Sequence, residues 1–248
     1  MRLLRFFAIT LAVCLAALAC GCQALQRKAL FFPTHDARDN GLAQWTHDGT
    51  IIGYAHEVAQ PGNVWLLLHG NGGQAADRTY ALPAFSADDS VFILEYPGYG
   101  LRAGKPSRTS IDAAARSAYA LLSERFPHTP LCVAAESLGS GPASVLSGAV
   151  RTPARIVLVV PFDTLKAVAA EHVKYLPVGM LLAGSWDNVQ ALAGYRGPLE
   201  VFGAERDEVI PVAHARNLAT HVPQAQFHLI PGGHNDWSHN GKVRFRNP

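Results

Sequence analysis

Charge and sulfur are both scarce in this chain. Of its 248 residues only 16% are Asp, Glu, Lys or Arg, and four are cysteines. A net charge of +2 spread so thinly does not mark a polyanion-binding protein, and the basic tail of Lys242, Arg244 and Arg246 reads as a solvated end rather than a nucleic-acid contact. There is no H-E-x-x-H run and no paired-cysteine spacing, so nothing calls for zinc. The Lys-Ser or Lys-Thr pair that closes a P-loop is missing too. No low-complexity run, internal repeat or linker-like stretch follows residue 40. With 49% hydrophobic residues, ample for a core, one large α/β domain is expected rather than two small ones.

Three of the four cysteines, Cys14, Cys20 and Cys22, fall in the first 22 residues. That leaves Cys132 alone, unable to form an internal disulfide, and its place inside an apolar strand reads as core packing rather than nucleophile. At the N-terminus, Arg2 and Arg5 precede an apolar run from Phe6 to Ala19. Its length, about 14 residues, is short of the roughly 20 a membrane span needs. The layout is that of an export signal. The run ends in Leu18-Ala19-Cys20-Gly21-Cys22-Gln23, which resembles a bacterial lipobox, cleaved before a cysteine that is then acylated. Cys22 is the first choice for that lipidation and Cys20 the second; an ordinary signal peptide with incidental cysteines is the alternative. The expected organisation is a lipoprotein-type signal over 1–21, a short linker over 22–29 and a single domain over 30–248. Such a protein would be lipid-anchored in the bacterial cell envelope, facing the periplasm, with the bilayer as one partner. Without Arg2 and Arg5 the 21 basic residues fall to 19, matching the 19 acidic ones.

Apolar, β-branched runs recur at Val64 to Leu68, Val91 to Leu94, Leu131 to Ala135, Ile156 to Val160, Leu199 to Phe202 and Phe227 to Ile230. Continuous rather than alternating apolarity indicates strands covered on both faces, as in a parallel sheet. Ile51 to Val58 suits an antiparallel strand at the start. Between the runs lie helical patterns, one capped by Ser110 with Ile111, Ala114, Ala115, Ala118, Leu121 and Leu122 on one face. Another covers Pro142 to Val150, and a third opens at Pro211 and runs to about His221. This alternation predicts a mostly parallel, doubly wound α/β sheet whose ligand site lies at the carboxyl ends of the strands.

One serine sits where such a sheet would display it. Ala134-Ala135-Glu136-Ser137-Leu138-Gly139-Ser140-Gly141 follows a strand pattern and precedes a helix pattern, with small residues two positions either side of Ser137. A sharp strand-to-helix turn there would strain the central residue and project its hydroxyl. A serine hydroxyl needs a base, and the base needs an acid to hold its tautomer. Asp207, in the loop between the Leu199 strand and Pro211, is the preferred acid; Glu205 and Glu208 compete, and Asp163 is the alternative one strand earlier. His234 follows the last strand in Pro231-Gly232-Gly233-His234, where glycines free the loop to reach Ser137. Leu68-His69-Gly70-Asn71-Gly72-Gly73 is a glycine-rich loop after a strand, suited to an oxyanion hole made of the backbone amides of Asn71 and Leu138.

Together these segments resemble the α/β-hydrolase superfamily, and within it the Bem-type, small-lid serine hydrolases related to eukaryotic depalmitoylating enzymes. The matching residues are His69 to Gly73, Glu95-Tyr96-Pro97-Gly98-Tyr99-Gly100, Gly104-Lys105-Pro106-Ser107, Glu136 to Ala143, Gly203 to Pro211 and Gly233-His234-Asn235-Asp236. The resemblance implies Ser137 as nucleophile, His234 as base and Asp207 as acid, acting on a small-molecule or acyl ester substrate without a metal or organic cofactor. It departs at Ala135, which replaces the usual elbow glycine. The chain also stops soon after His234, where relatives run on into a helix, which predicts thin support behind that histidine. Tyr96 and Tyr99 could line an acyl site or pack in the core, and Glu95 reads as structural. Fewer than 40 residues separate Pro161 from Pro198, enough for one or two helices and no large lid, with Tyr175 to Ala183 read as core, as pocket cover or as a lipid-facing stretch. The expected activity is carboxylic ester or thioester hydrolysis. Amidase or peptidase action with the same triad, and a non-catalytic envelope binding lipoprotein, are the competing readings.

Overall fold

The computed structural model describes residues 27–28, 30–37, 39–172, 182, 185–239 and 241–245. The proposed signal, Cys20, Cys22, Arg246 and nearly all of the Tyr175 to Ala183 stretch lie outside the described residues.

The chain opens with a two-residue strand, β1 (Phe32–Pro33), and a hairpin of β2 (Ala43–His47) and β3 (Thr50–His56). β4 (Val64–Leu68) leads through β5 (Gly72–Gly73) and a 3₁₀ helix (Ala75–Ala84) to β6 (Ser90–Leu94). Next come α1 (Arg108–Arg125), β7 (Leu131–Glu136), α2 (Ser140–Leu146) and β8 (Ile156–Val159). α3 (Leu165–His172), α4 (Asn188–Leu192), β9 (Leu199–Ala204), α5 (Val212–His221) and β10 (Ala225–Ile230) follow.

Eight strands form one sheet in the order β10-β9-β8-β7-β4-β6-β3-β2, parallel from β10 to β6 and antiparallel at β6-β3 and β3-β2. The continuous apolar runs became central strands for the reason their pattern gave: every residue of β4, β6, β7 and β8 is buried. Two clusters divide the core by face, one holding Leu66, Leu68, Val133 and Leu158, the other Trp65, Leu67, Ala134 and Val157. This is the α/β-hydrolase architecture expected from the sequence.

β4 has β6 on one side and β7 on the other, so the connections diverge at its carboxyl end and leave a crevice there. The loops after β4 and β7 carry His69 to Gly73 and Ser137 into that crevice.

Two of the expected helix boundaries moved. The cap of α1 is Ser107, not Ser110: Ser107 Oγ accepts from Ser110 N–H at 3.1 Å while Ser110 Oγ accepts from Ser107 N–H at 3.0 Å. Ser110 occupies the third helical position of a capping box, a role that a lone cap assignment misses. The helix after the elbow runs from Ser140 to Leu146 rather than from Pro142 to Val150. No helix among the described residues is long and apolar enough to cross a membrane.

Candidate active site

Ser137 adopts φ +50°, in the left-handed region that side chains other than glycine and asparagine rarely occupy. The strain is held by the packing on both sides of the turn. A Cβ on Gly139 would lie 2.2 Å from the Leu68 carbonyl oxygen, so only glycine lets the turn close against β4. Ala135 has no such constraint: it lies within β7, opposite Leu68 and Leu158, and its methyl group is buried in the core. The departure from glycine there is accommodated by the sheet.

The structure brings His234 to Ser137. Gly232, at φ +99°, turns the chain after β10, and Asp236 Oδ2 accepts the Gly233 N–H at 2.8 Å to close the loop. His234 Nε2 lies 2.9 Å from Ser137 Oγ, and His234 Nδ1 lies 2.8 Å from Asp207 Oδ2. A carboxylate only accepts, so Nδ1 carries the proton and Nε2 presents its lone pair to the serine hydroxyl. The other oxygen, Asp207 Oδ1, accepts the N–H groups of Val209 at 2.9 Å and Ile210 at 2.7 Å, which orients the carboxylate from behind.

The competing acids lie elsewhere. Glu205 and Glu208 are exposed. Asp163 is buried but faces His214, whose Nδ1 is 2.8 Å from Asp163 Oδ1, and Asn217 on the same helix, α5. That pair ties the end of β8 to α5.

The glycine-rich loop is held on every side but one. His69 Nδ1 donates to the Gly70 carbonyl at 2.7 Å, and a trans peptide points its N–H opposite its C=O, so the Asn71 N–H is directed away from the His69 ring. The Asn71 carbonyl accepts the Phe32 N–H at 3.0 Å and the Tyr99 hydroxyl at 2.8 Å. Tyr96 donates to the His69 carbonyl at 2.8 Å. Both tyrosines are fully buried, so they brace the loop rather than line a pocket. Glu95, also fully buried, accepts the Ala75 N–H. A Cβ on Gly70 would lie 3.5 Å from Ser137 Cβ, so the loop passes directly beside the hydroxyl. Leu138 is the second residue of a 3₁₀ turn over Ser137–Gly139, in its first turn, where an N–H has no acceptor one turn back.

Sequence reasoning missed the strap that holds this loop. β1 pairs in parallel with β5, Phe32 opposite Gly72 and Pro33 opposite Gly73, and Gly100 N–H donates to the Thr34 carbonyl at 2.9 Å. It also missed a buried group around Glu136, made of Gly70, Arg78, Tyr80 and Trp237. A charged residue directly before the elbow serine was the available signal. Support behind His234 is not thin. Trp237 and Phe245 are buried, Phe245 packs 4.5 Å from Phe85 and 5.9 Å from Trp65, and its N–H bonds the Ala84 carbonyl at 2.8 Å. An extended, aromatic tail substitutes for the helix. Cys132 is buried, and burial pushes its thiol up to about 12, which keeps it protonated and unreactive at neutral pH.

Comparison with known proteins adds relatives to this geometry. No protein-family model matches the chain. An uncharacterized protein of Mycobacterium tuberculosis is 32% identical over 199 residues, which span 77% of this chain and 70% of that one. The α/β hydrolase domain-containing protein 17C of Xenopus laevis is 26% identical over 200 residues, covering 77% of this chain and 62% of its own. Among solved structures, an esterase of Pyrococcus furiosus superposes with a TM-score of 0.64 at 15% identity, over 86% of this chain and 97% of that one. An α/β hydrolase of Vibrio vulnificus gives 0.62 at 19% identity, over 78% and 74%.

Proposed function

We propose, from the α/β-hydrolase fold of this chain and its similarity to α/β hydrolase domain-containing proteins, that it is a serine hydrolase of that superfamily cleaving carboxylic ester or thioester bonds through an acyl-enzyme. Ser137 is the nucleophile, His234 the base and Asp207 the acid. The observation that carries this reading is one imidazole spanning 2.9 Å to a strained serine and 2.8 Å to a buried aspartate. The fewer than 40 residues between β8 and β9 fit a Bem-type, small-lid member.

In this mechanism the Ser137 proton passes to His234 Nε2 as Oγ bonds the substrate carbonyl carbon. The carbonyl oxygen becomes an oxyanion beside the Asn71 and Leu138 N–H groups, each such donor lowering the barrier by about 3–4 kcal/mol. Imidazolium then protonates the leaving alcohol or thiol as its bond breaks, leaving an ester on Ser137. Water, deprotonated by the same Nε2, hydrolyses that ester and restores the hydroxyl. Asp207 stabilises the imidazolium that exists between these transfers.

The test combines trapping with turnover. A fluorophosphonate probe is expected to modify one residue, on the peptide containing Ser137. A panel of p-nitrophenyl esters of increasing acyl length, run beside a thioester and an anilide, is expected to show ester and thioester turnover well above anilide turnover. Preference for the anilide would replace this reading with an amidase, and absence of any adduct would favour a binding protein.

For its location, we propose a lipid-anchored envelope protein, acylated on Cys22 with Cys20 as the alternative. The lipobox-like sequence supports this. Mass spectrometry of the mature N-terminus should find a diacylglyceryl cysteine at one of these positions; an unmodified N-terminus beyond residue 22 would overturn it.

A further inference from the structure

Glu136 precedes the nucleophile in the chain, and its side chain is 10% exposed. A buried carboxylate is costly unless its lone pairs are met, and this one is met from three separate segments. Oε1 accepts the Gly70 N–H of the glycine-rich loop at 3.1 Å. From the 3₁₀ helix, Tyr80 donates its hydroxyl at 2.9 Å to Oε1 and 2.7 Å to Oε2, and Arg78 Nε lies 2.9 Å from Oε1. Trp237, three residues beyond His234, donates Nε1–H to Oε2 at 3.1 Å. The far end of the Arg78 guanidinium bonds the Gly72 carbonyl.

Two consequences follow from where these groups sit. First, one side chain joins the elbow, the loop bearing the Asn71 N–H and the loop bearing His234. Their mutual spacing therefore depends on it. Second, a Cβ on Gly70 would be 3.6 Å from Glu136 Oε1 and 3.5 Å from Ser137 Cβ, so the carboxylate lies within about 7 Å of the carbon that carries the nucleophile. A negative charge that close opposes a developing oxyanion unless a cation cancels it.

We propose that Glu136 is a positioning residue for the reaction at Ser137, and that Arg78 neutralises its charge beside the oxyanion. The proposal rests on the serine-hydrolase reading. The charge states fit. Burial works against charge on Arg78, but the Glu136 carboxylate, joined by Tyr80, Asp77 and Tyr96, outweighs it and holds the guanidinium above its ordinary value. Burial, then the same carboxylate, raise the Tyr80 phenol and keep it a donor.

Arg78→Met, Glu136→Gln and the double variant test it, with kcat and KM on an ester and the rate of fluorophosphonate labelling as readouts. Arg78→Met is expected to lower kcat roughly 10²-fold with KM within about threefold, because an uncompensated carboxylate raises the barrier rather than weakening binding. The double variant is expected to recover about tenfold of that loss, since the opposing charge is gone. Groups that merely fill space give multiplicative losses instead, and that result would overturn the charge assignment. If Arg78→Met does not fold, Trp237→Phe carries the test: it removes only the Nε1 donor among the polar contacts, and an unchanged kcat would overturn the positioning role. Wild-type protein that neither turns over esters nor reacts with the probe would instead sink the serine-hydrolase reading beneath it.

Discussion

Ser137→Ala is expected to lower ester turnover by roughly 10⁴ to 10⁶, or about 5–8 kcal/mol of barrier, and to abolish fluorophosphonate labelling. Only Oγ is lost. His234 and Asp207 keep their 2.8 Å contact, and the amides of Asn71 and Leu138 keep their places, so the residual rate reports the oxyanion loop and binding alone. The Cys132 thiol cannot take over, since it is buried and held protonated. Alanine meets the same left-handed strain as serine, so the melting temperature should move little. Kinetics and thermal unfolding measured on one preparation separate the two effects. Labelling that survives in the variant would remove Ser137 from its assigned role.

Asp207→Asn is expected to cost about 10⁴ in kcat while leaving KM and the fold nearly intact. The surroundings decide how the new amide sits. Val209 and Ile210 aim two N–H groups at Oδ1, so the amide oxygen must take that place. Its NH₂ group then faces His234 Nδ1 and donates to it. The imidazole proton moves to Nε2, against Ser137 Oγ, and the histidine can no longer act as a base. Asp163→Asn supplies the contrast. It disturbs the contact with His214 and Asn217 and should reduce stability, yet it touches nothing bonded to His234, so kcat should stay within a few-fold. Equal kinetic losses in the two variants would show that the acid has been misassigned.

Much of this site was legible because its parts are short and local. A run such as Val64 to Leu68 identifies a central strand, since continuous apolarity is tolerated only where both faces are covered. Candidate residues at strand ends then had to converge on one edge of the sheet. Other parts could not be read this way. β2 buries only Trp45 of its five residues and leaves no apolar run to detect. The 3₁₀ helix contains Pro83 and lacks the ~3.6-residue period of an α-helix. Glu136 meets Gly70, Tyr80 and Trp237 across 66, 56 and 101 positions, and residue spacing carries no signal over such intervals. The choice between Asp207 and Asp163 was open for the same reason: both follow strands, and only the packing of α5 gives Asp163 a different partner.

The strap formed by β1 sets a boundary for protein engineering. A fragment beginning near residue 40 would retain all eight strands of the main sheet, the strained serine and its histidine, and would be expected to fold. It would lack the Phe32 N–H that binds the Asn71 carbonyl, and the Leu30 carbonyl that accepts the Asn71 side chain at 3.2 Å. The shortest fragment that folds and the shortest that works are therefore different molecules, and trimming residues 30–39 to aid expression would discard the support of the Asn71 loop.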